Sequence, residues 1–198
     1  MWTANILTLF PDLYPGPLGS SILGEARKNG KWHLNITDLK LFSEKNKRVD
    51  DSPYGGGPGM VIKPDVIDRA LLSLKSNNFP IYYLSPRGVK LDTQISNSIS
   101  RLDGMTLVCG KYEGLDERVI KHYNMIEISV GDYILSGGDL AAMVLIDSVV
   151  RSLPNVLGNP LTLNEETFTN HLLEYPLYTQ PREWKNYKVP DVLLSGDH

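Results

Sequence analysis

Two glycine-containing segments, Cys109 to Val119 and Gly131 to Asp139, have the residue pattern of ligand-binding loops. Each follows a short apolar run and precedes a helical pattern, so both are predicted at the carboxyl edge of a parallel sheet, where open α/β folds bind ligands. Glycine lets backbone N–H and C=O groups approach a small molecule that a β-carbon would hold away. The first hypothesis is therefore a cofactor pocket lined by backbone.

Two further segments are candidates for the same pocket. Asp50 to Met60 contains three consecutive glycines followed by Pro-Gly, and Leu84 to Gly88 is predicted to be another turn at a strand end. Ordering three glycines costs backbone entropy that a simple connection does not require. A flexible surface loop is the alternative for Asp50 to Met60 considered alone.

The elements that would position these loops alternate between strands and helices. The predicted strands are Ala4 to Phe10, Trp32 to Asp38, Ile81 to Leu84, Met105 to Cys109 and Met125 to Val130, and the predicted helices are Pro64 to Lys75, Asp92 to Leu102, Leu115 to His122 and Asp139 to Arg151. This alternation implies an α/β fold with a mostly parallel sheet and helices on both faces. Past Pro160 the sequence becomes polar and is interrupted by prolines. We therefore predict a domain over 1–160, a linker over 161–176 and a small module over 177–198.

Composition excludes several classes of protein. The chain has 198 residues, 41% of them hydrophobic, and its longest apolar stretch, Leu140 to Ile146, is far shorter than the roughly 20 residues of a membrane span. The amino terminus lacks the pattern of a secretion signal. A single cysteine, Cys109, excludes an internal disulfide framework and suits the reducing cytosol. We therefore expect a cytoplasmic protein.

Charge is uneven along the chain. The net charge is −3, yet the segment from Arg27 to Arg48 contains seven basic residues and only two acidic ones. Such a segment can contact phosphates, or it can be a solvated surface, and charge alone leaves both interpretations open.

Several familiar chemistries have no motif here. The sequence contains no P-loop, no Gly-x-Ser-x-Gly elbow and no Gly-x-Gly-x-x-Gly dinucleotide fingerprint. The four histidines lie far apart and pair with no cysteine, so no metal site is predicted. Cys109 has no histidine neighbour to activate it, and we expect it to be a buried strand residue rather than a nucleophile.

Five motifs that occur in order carry a resemblance to a known family. They are Tyr-Gly-Gly-Gly-Pro-Gly-Met, Leu-Ser-Pro-x-Gly, Cys-Gly-x-Tyr-Glu-Gly-x-Asp-Glu-Arg, Gly-Asp-Tyr-x-Leu-Ser-Gly-Gly and Tyr-Pro-x-Tyr-Thr-x-Pro. With them the chain resembles the bacterial tRNA (guanine-N1)-methyltransferases of the TrmD type, which belong to the SPOUT class. The resemblance extends from Met1 to Gly196.

The resemblance implies a deep trefoil knot in the carboxyl half of the sheet and a homodimer whose active site lies at the subunit interface. It implies that S-adenosyl-L-methionine binds among the knot loops and that the substrate is the guanosine immediately 3′ of the tRNA anticodon. The implied cofactor-binding residues are Leu84, Ser85, Pro86, Gly110, Glu113, Gly114, Val130, Gly131, Tyr133, Leu135, Gly137 and Gly138. The module over 177–198 is expected to be the truncated start of a helical, tRNA-binding domain.

The resemblance also implies roles for four further residues. Glu166 would be the general base that removes the proton from guanine N1, and Arg151 would stabilise charge on guanine O6. Pro58 and Gly59 would contact the tRNA or its guanine. The base in the family is usually aspartate, and Glu165 is an adjacent competitor for the role; Lys111 stands where arginine is common.

Two alternative functions stay open at this point. One is a related SPOUT methyltransferase that acts on another RNA site, and the other is an RNA-binding module without activity. The sequence also leaves open whether Mg²⁺ assists catalysis.

Overall fold

The fold is taken from a computed structural model, which describes residues 1–44, 48–74, 78–157 and 175–195. The chain divides into two compact units, Met1–Pro160 and Leu161–His198. Most of the predicted linker over 161–176 lies outside the described residues. Within the described residues, no helix combines the length and the apolar character that crossing a membrane requires.

The first unit is built on a five-stranded sheet whose strand pairs are all parallel. Its strands are β1 (Trp2–Thr8), β2 (Trp32–Asp38), β5 (Ile81–Lys90), β6 (Gly104–Val108) and β7 (Ile126–Ser129), and a separate antiparallel pair is formed by β3 (Asp50–Asp51) and β4 (Val61–Ile62). The strand order in the sheet is β2-β1-β6-β5-β7. All five predicted strands of the parallel sheet are confirmed.

Among the described residues, five α-helices accompany the sheet: α1 (Ser21–Lys28), α2 (Pro64–Ser73), α3 (Thr93–Ser100), α4 (Glu117–His122) and α5 (Gly138–Val150). The four predicted helices correspond to α2 to α5. Capping explains two observed starts: the Asp92 carboxylate accepts the backbone N–H of Ile95 at 2.8 Å before α3, and the Asp116 carboxylate accepts the backbone N–H of Arg118 at 2.9 Å before α4. The prediction missed α1, because this short segment has a glycine in its middle.

The sheet separates two hydrophobic layers. One layer contains buried side chains of α1, α3 and α5, among them Leu23, Ile99 and Leu145. The other contains buried side chains of α2 and α4, such as Ile67 and Val119. Successive side chains of a strand point to opposite faces, so the central strands contribute to both layers. The predicted arrangement, with helices on both faces, is confirmed.

The structure corrects the prediction at β5, where a turn was expected from Leu84 to Gly88. The strand continues to Lys90, but both Leu84 and Val89 pair with Ile128 of β7. The residues between them therefore bulge out of the ladder. A β-carbon at Gly88 would lie 2.4 Å from the backbone of Glu127, so only glycine allows the strand to rejoin its neighbour so closely.

The described residues of the second unit do not confirm the predicted helical module. Its described residues form an antiparallel pair, β8 (Glu183–Trp184) with β9 (Tyr187–Lys188), followed by a short 3₁₀ helix, Asp191–Leu194. The Trp184 and Tyr187 rings are stacked with centroids 6.5 Å apart. Cross-strand aromatic pairs stabilise hairpins, which explains why residues 183–188 do not form a helix.

Candidate functional site

A cleft lies at the carboxyl ends of β5, β6 and β7. Its walls come from the bulge of β5, the loop that follows β6 and the loop between β7 and α5. All twelve predicted cofactor-binding residues line it: Leu84, Ser85, Pro86, Gly110, Glu113, Gly114, Val130, Gly131, Tyr133, Leu135, Gly137 and Gly138. The structure thus brings together residues that are far apart in the sequence. Their role in binding a cofactor stays a prediction.

Close contact between two glycines shapes one wall of the cleft. The backbone N–H of Gly138 donates to the carbonyl oxygen of Gly110 at 2.8 Å. A β-carbon at Gly138 would lie 2.9 Å from the Gly110 nitrogen and 3.0 Å from the Cys109 Cα, which is closer than real side chains come. The absence of side chains lets the backbones of the two loops touch, and it leaves backbone groups along the cleft for a ligand.

Tyr83 lies behind the loop that follows β6, against both Gly110 and Gly114, and sequence reasoning missed it. Its side chain is buried, and burial raises the pKa of its hydroxyl. Its hydroxyl oxygen would lie 2.5 Å from a β-carbon at Gly114, whose φ of +110° also favours glycine. The position of Tyr83 one residue before the Leu84 to Pro86 motif was the available signal. Tyr112 and Ile134 also line the cleft and were not predicted.

A buried carboxylate lies directly behind the cleft. Asp139, in the first turn of α5, accepts hydrogen bonds from the Thr8 hydroxyl at 2.5 Å and the Tyr14 hydroxyl at 3.1 Å. The helix was predicted to begin at Asp139; its N-cap is Gly137, and Asp139 takes a first-turn position. A negative side chain there is favoured by the helix dipole. These bonds attach the start of α5 to the end of β1.

Cys109 belongs to the same buried group. Its sulfur lies 3.5 Å from the Tyr14 hydroxyl oxygen, and its side chain is fully enclosed. Burial, followed by the nearby Asp139, raises the pKa of the Cys109 thiol. The prediction that Cys109 is a buried strand-end residue is confirmed, and at neutral pH its thiol stays protonated and is a poor nucleophile.

The third glycine segment packs against the loop after β6. The Glu113 backbone N–H donates to the Met60 carbonyl oxygen at 2.9 Å. A β-carbon at Gly59 would lie 2.4 Å from a Glu113 carboxylate oxygen, and Gly59 has a φ of +86°. Pro58 and Gly59 therefore lie beside the cleft, behind Glu113, without lining it. Their contact with the tRNA or its guanine stays a prediction.

The two predicted catalytic residues are not seen together. Glu166 and its neighbour Glu165 lie outside the described residues. Arg151 is the C-cap residue of α5, whose first residue, Gly138, lines the cleft. Ala141 also lines the cleft, and a helix rises about 1.5 Å per residue, so α5 separates the Cα atoms of Ala141 and Arg151 by roughly 15 Å. Arg151 is not among the residues that line the cleft of its own chain.

The described basic residues between Arg27 and Arg48 do not form one surface. Lys28 pairs with Glu25 at 2.8 Å at the end of α1, and Arg48 pairs with the buried carboxylate of Asp50 at 2.8 Å. Lys40 instead lies beyond the carboxyl end of β2. The residues between Glu44 and Arg48 lie outside the described part of the chain.

The whole chain is similar to proteins of known activity. Residues 1–198 match the sequence profile of the family described as tRNA (Guanine-1)-methyltransferase TrmD. A tRNA (guanine-N(1)-)-methyltransferase of Ruegeria pomeroyi is 49% identical over 202 aligned residues, which cover 100% of this chain and 83% of that protein. Proteins of the same name from Ehrlichia canis and Anaplasma phagocytophilum are 48% and 50% identical, each over 98% of this chain and 84% of the relative.

Proposed function

This chain belongs to the TrmD family of tRNA (guanine-1)-methyltransferases, and on that basis we propose that it transfers the methyl group of S-adenosyl-L-methionine to N1 of the guanosine immediately 3′ of the tRNA anticodon. The observation that carries the proposal is the glycine-lined cleft, around which all twelve implied cofactor-binding residues meet. A cytoplasmic location suits a tRNA substrate.

The cleft suits a donor that is held mainly by backbone groups. Gly110 and Gly138 come so close that a β-carbon would fill the space between them, and the loops on either side leave peptide groups exposed. Leu84, Val130 and Leu135 supply apolar surface for the adenine ring. When bound, S-adenosyl-L-methionine supplies an electrophilic methyl group. The chain's own task is to orient that group toward guanine N1, and such alignment contributes roughly 7 to 11 kcal/mol to rate acceleration.

Two charged side chains complete the proposed reaction. The bound donor would supply the methyl group that guanine N1 takes up, and the carboxylate of Glu166 would accept the proton that N1 releases. Arg151 donates a hydrogen bond to guanine O6, where negative charge develops as that proton leaves. A placed general base contributes about 10²- to 10⁴-fold.

We further propose that two copies of the chain share each active site. Along α5, the residues Leu140, Val144, Asp147 and Arg151 are spaced by three or four positions and so form one stripe. Leu140 and Val144 on this stripe are 56% and 50% exposed in the single chain. A second copy that covers this apolar stripe would also approach Arg151. The distance of Arg151 from its own cleft supports a role in the partner's cleft.

The trefoil knot is likewise a proposal, and the order of the strands supports it. In the sheet β5 lies between β6 and β7. The chain that leaves β7 must therefore pass the carboxyl end of β5 before Gly138 can bond to Gly110 in the loop after β6. Such a crossing at the carboxyl edge is where a knot would form. The second unit is proposed to help hold the tRNA.

The test is methyl transfer from labelled S-adenosyl-L-methionine to two unmodified transcripts of one tRNA, with guanosine or adenosine immediately 3′ of the anticodon. We expect label on the guanosine transcript alone. Equal labelling of both would mean that the enzyme modifies another RNA site. Binding of tRNA without labelling of either would favour an RNA-binding module without activity.

A further inference from the structure

An aromatic ring at the carboxyl edge of the sheet holds two lysine side chains. Phe10 follows β1, Lys40 follows β2 and Lys111 follows β6, and these three strands are parallel neighbours. The Nζ atoms of Lys40 and Lys111 each lie 5.4 Å from the centroid of the Phe10 ring. Three strand ends thus bring two ammonium groups to one ring, which is 38% exposed.

The Phe10 backbone and the Lys111 side chain are each held in place by a hydrogen bond. The Phe10 backbone N–H donates to the hydroxyl of the buried Thr8 at 2.9 Å. Lys111 Nζ donates to the Ser136 carbonyl oxygen at 2.6 Å, which fixes it to the loop between β7 and α5. Because the positions are set before any ligand arrives, binding at this pair would cost less side-chain entropy than binding at two mobile lysines.

Contact with the ring does not neutralise the two cations. A cation–π contact at an exposed site is weaker than a hydrogen bond to a charged partner, so a phosphate can still compete for each ammonium group. No ion pair among the described residues includes Lys40 or Lys111. The nearby Asp38 carboxylate accepts the backbone N–H of Lys40 at 2.9 Å as a cap. The pair therefore keeps its positive charge at the surface.

We propose that Lys40 and Lys111, ordered by Phe10, bind backbone phosphates of the tRNA next to the nucleotide that is methylated. This inference rests on the proposed function. Each ammonium group is 5.4 Å from the centroid, so the two are at most twice that distance apart. A nucleic-acid strand carries one phosphate per about 3.4 Å of helix axis, so nearby phosphates of one strand can reach both.

The position of Lys111 relates this phosphate site to the cleft. Lys111 lines the cleft and lies over Phe10, so a strand held by the pair would continue into the space beside the proposed donor site. Lysine is a compact, strongly hydrated point charge on a flexible stem, which suits a contact with a phosphate. Phosphate contacts fix the register of a nucleic acid but carry no sequence information. The lysine pair would therefore position the target nucleotide, whereas the choice of guanine would come from other groups.

The test measures the affinity of the whole tRNA transcript by fluorescence anisotropy over a series of salt concentrations. For Lys40→Gln we expect weaker binding and a slope of log K against log[salt] that is smaller in magnitude by about 0.7 to 0.9, the contribution of one phosphate. The loss of affinity should be equal for the guanosine and adenosine transcripts. Phe10→Leu keeps both charges, so its salt slope should stay close to that of the wild type. Its affinity should fall, because the ring that orders the two lysines is lost.

The matched control is Lys31→Gln, which makes the same charge change just before β2, at the amino edge of the sheet. It should leave the slope unchanged. A wild-type slope in Lys40→Gln, or an equal loss in Lys31→Gln, would overturn the inference. Thermal unfolding and calorimetric titration with S-adenosyl-L-methionine, both expected to stay at wild-type values in Lys40→Gln, show whether that variant remains folded.

The two proposals can fail separately. If the wild-type protein methylates the guanosine transcript but Lys40→Gln keeps the wild-type slope, the phosphate site is refuted and the proposed function stands. If tRNA binding depends on Lys40 as expected but no methyl group is transferred, the phosphate site is supported and the proposed function is refuted.

Discussion

Replacing Gly138 with alanine should weaken donor binding with little loss of the fold. The new β-carbon would lie 2.9 Å from the Gly110 nitrogen and 3.0 Å from the Cys109 Cα, and both of these are backbone atoms that cannot rotate away. Overpacking of this kind costs about 1 to 3 kcal/mol. Replacing glycine with alanine inside a helix stabilises the helix by up to about 1 kcal/mol, and by less in its first turn. The contact therefore outweighs the gain in helix propensity.

The strain should appear in binding more than in stability. Without a ligand, the loops after β6 and β7 can relieve the contact by moving apart. Donor binding would require them to return to their original spacing, and so would restore the strain. An energy of 1 to 3 kcal/mol corresponds to an increase in the dissociation constant of about 5- to 150-fold. We expect this change in calorimetric titration with S-adenosyl-L-methionine, and a smaller change in the free energy of unfolding.

Gly137→Ala is the matched comparison. Its β-carbon would lie 3.2 Å from Lys111 Cδ, in a flexible side chain, and 3.4 Å from the Gly110 carbonyl oxygen. Its φ of 175° is extended backbone that any residue adopts. The loss of donor affinity in Gly137→Ala should therefore be clearly smaller. An affinity within twofold of the wild type for Gly138→Ala, or equal losses in the two variants, would refute the assignment of this wall to the donor site.

Three more predictions test other parts of the molecule. Glu166→Gln should leave donor binding intact and lower single-turnover methylation by roughly 10²-fold or more, because the base is lost. Glu165→Gln is the control and should keep the wild-type rate. A loss of rate in Glu165→Gln but not in Glu166→Gln would transfer the role to Glu165. Leu140→Glu places a charge on the exposed stripe of α5 and should convert a dimer into monomers in analytical ultracentrifugation. Leu72→Glu is the control, because Leu72 lies on α2 and is 68% exposed, and this variant should remain a dimer. A dimer in both variants would contradict the shared site. Burial raises the pKa values of Tyr82 and Tyr14, so above about pH 10 the unfolded chain releases these protons while the folded chain keeps them. The free energy of unfolding should therefore fall as pH rises above that value. Tyr82→Phe should make this decrease with pH less steep in urea titrations, and an unchanged slope would show that Tyr82 contributes nothing to the decrease.

The sheet and most of its helices were predictable because their signals are local. Trp32 to Asp38 is a strand in both the prediction and the structure, and the helix ending at His122 has the predicted end. The helix α1 escaped prediction because its pattern is short and contains Gly24, whose role is set by contact. A β-carbon at Gly24 would lie 2.3 Å from the Gly19 carbonyl oxygen, and no local pattern reports such a neighbour.

The site could be predicted where its residues form contiguous motifs. The glycine loops precede or follow apolar runs, and parallel strands bring their carboxyl ends to one edge. Tyr83 could not be assigned in this way, because its contact with Gly114 depends on how β5 packs beside β6. The lysine pair on Phe10 has the same origin, since its members come from three strands that are neighbours only in the sheet.

The sequence by itself determined the alternation of strands and helices, the positions of the glycine loops and the family to which the chain belongs. These properties depend on the periodic spacing of apolar residues and on residues that are adjacent in the chain. Only the tertiary structure decided which loops form one cleft, that Asp139 bonds to Thr8 across 131 positions, and that Arg151 lies far from the cleft of its own chain. The order of strands in a sheet and the packing between its layers are products of long-range burial, which a local pattern does not specify.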